Sequence, residues 1–237
     1  MKFFSSPNLA WLLGRGNVQV EQLGGGLDKF NFAVKSADGF FIWQLSTRKT
    51  DRARQAILEK WAWHLNQNGV ATRQLVGFHD LSNLSSNFSE SAVYRGVSGQ
   101  SVRWSDYNQT RIKEAVGYLE KIHRAGKTFT ARDRLGQFNP RKPESGSLSG
   151  SIGHQGYRFD QVALKQMAER LVAEKSPETE TVLHGDFGRG NIIFRGETVA
   201  GVIDLDRAMV GPPLVDLGRF ASYLLLDTDL APEVVWR

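Results

Sequence analysis

The residues best placed to do chemistry lie in one stretch, TVLHGDFGRGNIIFRGETVAGVIDLDRAMVGPPLVDLGRF, from Thr181 to Phe220. Two apolar runs, Asn191 to Phe194 and Val199 to Ile203, flank Arg195-Gly196-Glu197-Thr198, which predicts a β-hairpin. With Phe194 paired to Val199, Asn191 sits opposite Val202, and Asp204 emerges beside Asn191 at the same end. Asp186 precedes that end in a glycine-flanked loop. Two carboxylates and an amide are hard oxygen ligands that suit Mg and not a soft metal. Phosphoryl transfer needs this inventory: one carboxylate orients an attacking hydroxyl, while an amide and a second carboxylate hold the metal against phosphates.

These groups need a scaffold, and the rest of the chain supplies one. Val18 to Leu23 alternates in polarity and ends in Gly24-Gly25-Gly26. Phe30 to Val34 alternates again, Asp38-Gly39 is a turn signal, and Phe40 to Leu45 follows as a strand. A helix is expected next, capped by Asp51, with Ala53, Ile57, Trp61 and Leu65 on one face and Gly69 at its end. Leu75 to Phe78 and Ala92 to Tyr94 read as two further strands around a polar loop. Beyond Gly96 and Gly99 the pattern turns helical, with Ile112, Ala115, Val116, Leu119 and Ile122 as a stripe. Residues 139 to 156, rich in Gly, Ser and Pro, read as a loop or insertion, followed by a helix from about Phe159 to Glu174. The implied organisation is a β-rich lobe over 1–95, a hinge at 96–99 and a helical lobe over 100–237, with a ligand cleft between the lobes.

Composition narrows the chemistry. A chain of 237 residues with 41% hydrophobic and 23% charged residues can bury a real core. There are no cysteines, which excludes disulfides, thiolate zinc sites and cysteine nucleophiles. The net charge of +5 is scattered among acids, so no nucleic-acid partner is expected. No apolar run approaches a membrane span, and Ser5, Ser6, Pro7 and Asn8 break up the N-terminal segment as a signal peptide, so a cytoplasmic location without membrane partners is expected.

HGD followed by four residues and Asn191, then Ile203-Asp204, resembles the catalytic and metal motifs of the aminoglycoside phosphotransferase and choline kinase family. The glycine loop, the strand Phe40 to Leu45, the helix with Glu59 and the segment YLEKIHRAG follow in that family's order. The resemblance implies an α+β, bilobal, protein-kinase-like fold. It implies a small-molecule kinase moving the γ-phosphoryl group of ATP, bound with Mg, onto a hydroxyl of an amino alcohol, sugar, aminoglycoside or homoserine-like acceptor. Asp186 would be the catalytic base, Asn191 and Asp204 the Mg ligands, Asp216 the buried acid bracing the loop, and His184 a structural histidine. Gly24, Gly25 and Gly26 would cover the phosphates, Glu59 would be the helix acid, and adenine would lie near Tyr94 to Val97.

Two departures stand out. Gln44 occupies the position of the strand lysine that normally supplies a point charge to the phosphates, with Lys35, Arg48 or Lys49 as possible substitutes. Few residues follow Asp216, which implies a reduced acceptor site or a shortened chain. Both leave room for a degenerate kinase that binds nucleotide or a partner without efficient transfer. Blander readings also stand beside the sharp ones. The glycine triplet reads equally as a flexible turn, and Arg189 as a phosphate contact or a solvent-facing arginine. Asp206 reads as solvent-exposed or a salt-bridge partner more than a metal ligand, His123 as packed or capping, and Trp43 and Trp61 as core.

Overall fold

The computed structural model describes residues 18–23, 28–83, 85, 87–139, 180–188 and 190–227. Gly24, Gly25, Gly26, Arg189, the expected loop beyond Asn139 and the helix expected from Phe159 lie outside the described residues. The first half of the chain makes a five-stranded antiparallel sheet in the order β1-β2-β3-β5-β4. Its strands are β1 (Gln19–Gln22), β2 (Lys29–Ser36), β3 (Gly39–Ser46), β4 (Gln74–Asp80) and β5 (Glu90–Arg95). Ser36 pairs with Gly39, so the β2–β3 turn is Ala37-Asp38, one residue earlier than the Asp38-Gly39 signal. Val34, Phe41, Trp43, Leu45 and Val93 form the core of this sheet, and the Trp43 indole N–H donates to Ser91 Oγ at 2.9 Å.

Helix α1 (Arg52–Gln67) links β3 to β4. Asp51 caps it, accepting from the N–H groups of Ala53 and Arg54 at 2.9 and 3.2 Å, and Gly69 follows the Asn68 cap with φ +74°. Ile57, Leu58, Trp61, Ala62 and Leu65 are buried; Ala53 is exposed in the first turn, before the apolar face reaches the core. That face joins a larger cluster containing helix α2 (Gln109–Thr128) and the C-terminal strands, so α1 shares its core with the later half of the chain. In α2, Ile112, Ala115, Leu119 and Ile122 are buried, while Val116 lies on the flank of the stripe and is exposed.

The remaining elements are β6 (Thr181–Leu183), β7 (Ile192–Arg195), β8 (Thr198–Val202), β9 (Met209–Gly211) and helix α3 (Leu214–Asp227). β6 pairs with β9, and β7 with β8, all antiparallel. Phe194 faces Val199 as expected, but a register shift follows between Ile193 and Phe194. Ile192 then pairs with Val202, and Asn191 stands opposite Ile203, not Val202, with the Ile203 N–H donating to the Asn191 carbonyl at 2.9 Å. The bulge places one extra residue on β8 and so brings Asn191 one residue nearer Asp204 than strict pairing would.

The hairpin is wedged between two earlier segments. Phe194 exchanges backbone hydrogen bonds with Gln100 at 3.0 and 2.8 Å, and the Val202 N–H donates to the Ala71 carbonyl at 2.9 Å. At Gly201 a Cβ would stand 2.6 Å from the Ala71 oxygen and 2.8 Å from the Val97 side chain, so glycine is what lets the segments close.

Candidate active site

The loop His184-Gly185-Asp186 leaves β6 and is held from beneath by Asp216, at the first turn of α3. Asp216 is fully buried. Its carboxylate accepts the N–H of His184 at 2.8 Å, the N–H of Gly185 at 2.9 Å and His123 Nε2 at 2.9 Å. Burial pushes the Asp216 carboxyl up, but the hydrogen bonds from His123 and Gly185 outweigh it and hold the group below the usual aspartate range. Gly185 has φ +81°, and a Cβ there would stand 2.0 Å from the Arg207 carbonyl oxygen. No other residue type fits that turn.

His184 is fully buried as well. The Asp186 N–H donates to its Nδ1 at 3.3 Å, so Nε2 carries the proton and donates to the Ile203 carbonyl at 3.1 Å. Burial lowers its pKa despite the nearby carboxylates of Asp216, Asp204 and Asp186. A neutral imidazole thus ties the Asp186 loop to the residue just before Asp204. His123 packs against Asp216, as the packed reading expected.

Asp186 and Asn191 meet directly. The Asn191 amide donates to the Asp186 carbonyl at 2.9 Å and to Asp186 Oδ2 at 3.3 Å. Asp204 follows Ile203, the residue facing Asn191, and has φ +61°, the only positive φ outside glycine among the described residues. Strain of this kind persists only where the surroundings over-determine it. Sequence reasoning missed two contacts. The Tyr223 hydroxyl donates to Asp186 Oδ1 at 3.2 Å, and the Arg219 guanidinium donates to the Gly185 carbonyl. Tyr223 and Arg219 stand on α3 after Asp216, and their helical spacing from that brace is the one clue the chain offered. Burial, then the Asp186 charge, raises the Tyr223 hydroxyl pKa and keeps it a donor.

The sheet region is arranged differently. Gln44 is buried and donates to Asn31 Oδ1 at 2.9 Å, and Glu59 accepts from Gln55 at 3.0 Å. These two expected partners are therefore each satisfied within their own neighbourhood. Tyr94 is buried with Arg73 over its ring at 4.5 Å, and Val97 is half-buried against the hairpin. Of the substitutes for a strand lysine, Arg48 pairs with Asp28 at 3.1 Å, Lys49 with Asp80 at 3.4 Å, and Lys35 is exposed. The cations that line the same groove as Gln44 are Lys29 and Arg73, which sequence reading passed over. Both pair with Asp206, as the salt-bridge reading of that residue expected.

The donor set fits a hard divalent ion. Neither the Asn191 amide oxygen nor the Asp204 carboxylate accepts a hydrogen bond from a described residue, and Asp204 is exposed. Among the described residues, no group of three or more His, Cys, Asp or Glu is disposed to hold a metal. One carboxylate and one amide, completed by phosphate oxygens and water, is how Mg is commonly held.

A model of the phosphotransferase enzyme family matches residues 19–235, nearly the whole chain. The chain belongs to that family. The phosphotransferase class expected from the sequence is the class of the phosphotransferase enzyme family. Solved structures agree on the fold. A macrolide 2′-phosphotransferase, MphH from Brachybacterium faecium, is 17% identical over 97% of this chain and 79% of its own, with a TM-score of 0.58. The amicoumacin kinase hAmiN, solved with AMP-PNP, Ca2+ and amicoumacin, is 14% identical over 92% of this chain and 69% of its own, with a TM-score of 0.63. A spectinomycin phosphotransferase, APH(9)-Ia, solved with ADP and spectinomycin, gives 14%, 92%, 72% and 0.56. Among the described residues, no helix of this family member is long and apolar enough to cross a membrane.

Proposed function

We propose that this protein is a small-molecule kinase that transfers the γ-phosphoryl group of ATP to a hydroxyl of a small acceptor. One observation carries the reading: the Asp186 carboxylate is locked to Asn191 at the end of a hairpin whose next exposed residue, Asp204, is free to ligate. Asp186 orients the acceptor hydroxyl and takes its proton, while Tyr223 and Asn191 fix the two carboxylate oxygens from either side. The Asn191 amide oxygen and the Asp204 carboxylate would hold Mg, which supplies charge neutralisation on the phosphates. The neighbouring macrolide, amicoumacin and spectinomycin enzymes support a hydroxyl-bearing natural product, amino alcohol or sugar as the acceptor class.

The test is Mg-dependent nucleotide turnover across a panel of hydroxyl acceptors. Asp186→Asn should lower turnover by roughly 10²- to 10⁴-fold while nucleotide affinity stays within about threefold. Equal turnover by wild type and variant would remove Asp186 from the chemistry. A second reading, a nucleotide-binding protein without efficient transfer, is favoured by Gln44, which bonds to Asn31 and carries no charge. ATP binding with no turnover on any acceptor, and turnover gained in Gln44→Lys, would select it.

A further inference from the structure

Lys29 opens β2; Arg73 directly precedes β4; Asp206 lies two residues past Asp204. The three meet. Lys29 Nζ reaches Asp206 Oδ2 at 2.5 Å, and Arg73 Nη2 reaches Asp206 Oδ1 at 3.1 Å. One carboxylate thus uses both oxygens to hold two cations, and the trio keeps a net charge of +1. Three other charged groups nearby are already engaged. The Arg54 guanidinium donates to the carbonyls of Leu135, Asp206 and Ala208, Glu90 accepts from Thr50 and pairs with Arg52, and Glu59 accepts from Gln55. Lys29 and Asp206 are 40% and 35% exposed, so an incoming anion can reach the pair. At most ~7 Å of backbone separates Asp206, which holds the cation pair, from Asp204.

We propose that Lys29 and Arg73 are the anion-binding pair for the nucleotide's phosphate chain, and that Asp206 is an internal anion that occupies them in the free protein. The inference rests on the phosphotransferase reading above and adds to it. Gln44 leaves the expected position without charge; Lys29 brings a compact ammonium with three donors into the same groove from the neighbouring strand, and Arg73 brings a planar fork. A diphosphate offers more charge and more acceptor oxygens than one carboxylate, so it outcompetes Asp206 for both cations. The Asp206 contacts are partly exposed and therefore cheap to break. The groove is thus kept soluble and ordered by its own carboxylate until nucleotide arrives.

The test is ADP binding to the full chain by calorimetry, with and without Mg, over a range of salt. Lys29→Gln should weaken ADP binding by roughly tenfold or more and flatten its salt dependence. Asp206→Asn should tighten ADP binding by roughly three- to tenfold, because the competitor is gone. In the double variant Lys29→Gln/Asp206→Asn that gain should shrink, which separates competition for Lys29 from a general loss of negative charge. Unchanged affinity in Lys29→Gln, or weaker binding in Asp206→Asn, overturns the inference and leaves the kinase reading standing. Absence of ADP and ATP binding by the wild type overturns both. Should Lys29→Gln fail to fold, Asp206→Asn alone decides: tighter binding supports the inference and any other result overturns it.

Discussion

The loop at 184–186 and the sheet groove are held together in opposite ways. Around His184, Gly185 and Asp186, buried polar groups converge on one fully buried carboxylate, and no side chain could be removed without leaving a partner stranded. Around Gln44, Glu59 and Lys29, the polar groups are satisfied in separate small contacts, and the Lys29 pair is partly open to water. The first region is rigid because its buried polar groups are joined in one satisfied network. The second holds its charges in partly exposed ion pairs.

The contrast between the regions is most exposed at Asp216. Asp216→Ala strands the N–H groups of His184 and Gly185 and the His123 ring in a buried site, and should cost about 3–5 kcal/mol in urea denaturation. A loss below about 1 kcal/mol would mean the brace is not structural.

A pH titration of stability sharpens the same point. The folded-state pKa of His184 is depressed below the ordinary 6.5. The unfolded chain therefore takes up a proton that the folded one refuses. Stability is fully present above pH 6.5 and should fall by up to about 1.4 kcal/mol per pH unit below it, until the folded pKa is reached. His184→Gln should flatten that slope. Asp216, with its pKa depressed, adds a further loss only at lower pH, below the ordinary aspartate value of 3.8.

Smaller effects mark the edge of the rigid region. Tyr223→Phe removes one donor to Asp186 and should lower kcat by roughly three- to tenfold with KM little changed and the denaturation midpoint nearly kept. The smallest is expected in the sheet groove. Gln44→Ala leaves only Asn31 without its contact and should cost about 1 kcal/mol or less. A loss comparable with that of Asp216→Ala would erase the distinction between the regions.

The strands, α1 with its Asp51 cap and the closeness of Asp186 and Asn191 at the hairpin end were readable because each depends on neighbours within a few residues. Misreadings came where contacts were longer in range. The bulge that places Asn191 opposite Ile203 needs the hairpin to dock on Ala71 and Gln100, and no local pattern announces that. Ala53 and Val116 share the apolar spacing of their helices yet stay exposed, because periodicity gives a direction and not the extent of the partner that packs there. Tyr223 and Arg219 reach Asp186 and Gly185 only because α3 docks against the loop, again a long-range contact.

What the sequence alone determined was that Asp186, Asn191 and Asp204 come to one end, since a hairpin and a glycine-flanked loop bring them there by local geometry. What only the tertiary structure decided was which charges face them. Lys29, Arg73 and Asp206 come from three distant segments. Their pairing follows from how the sheet closes on the C-terminal loop, a long-range packing outcome that side-chain spacing along the chain does not encode.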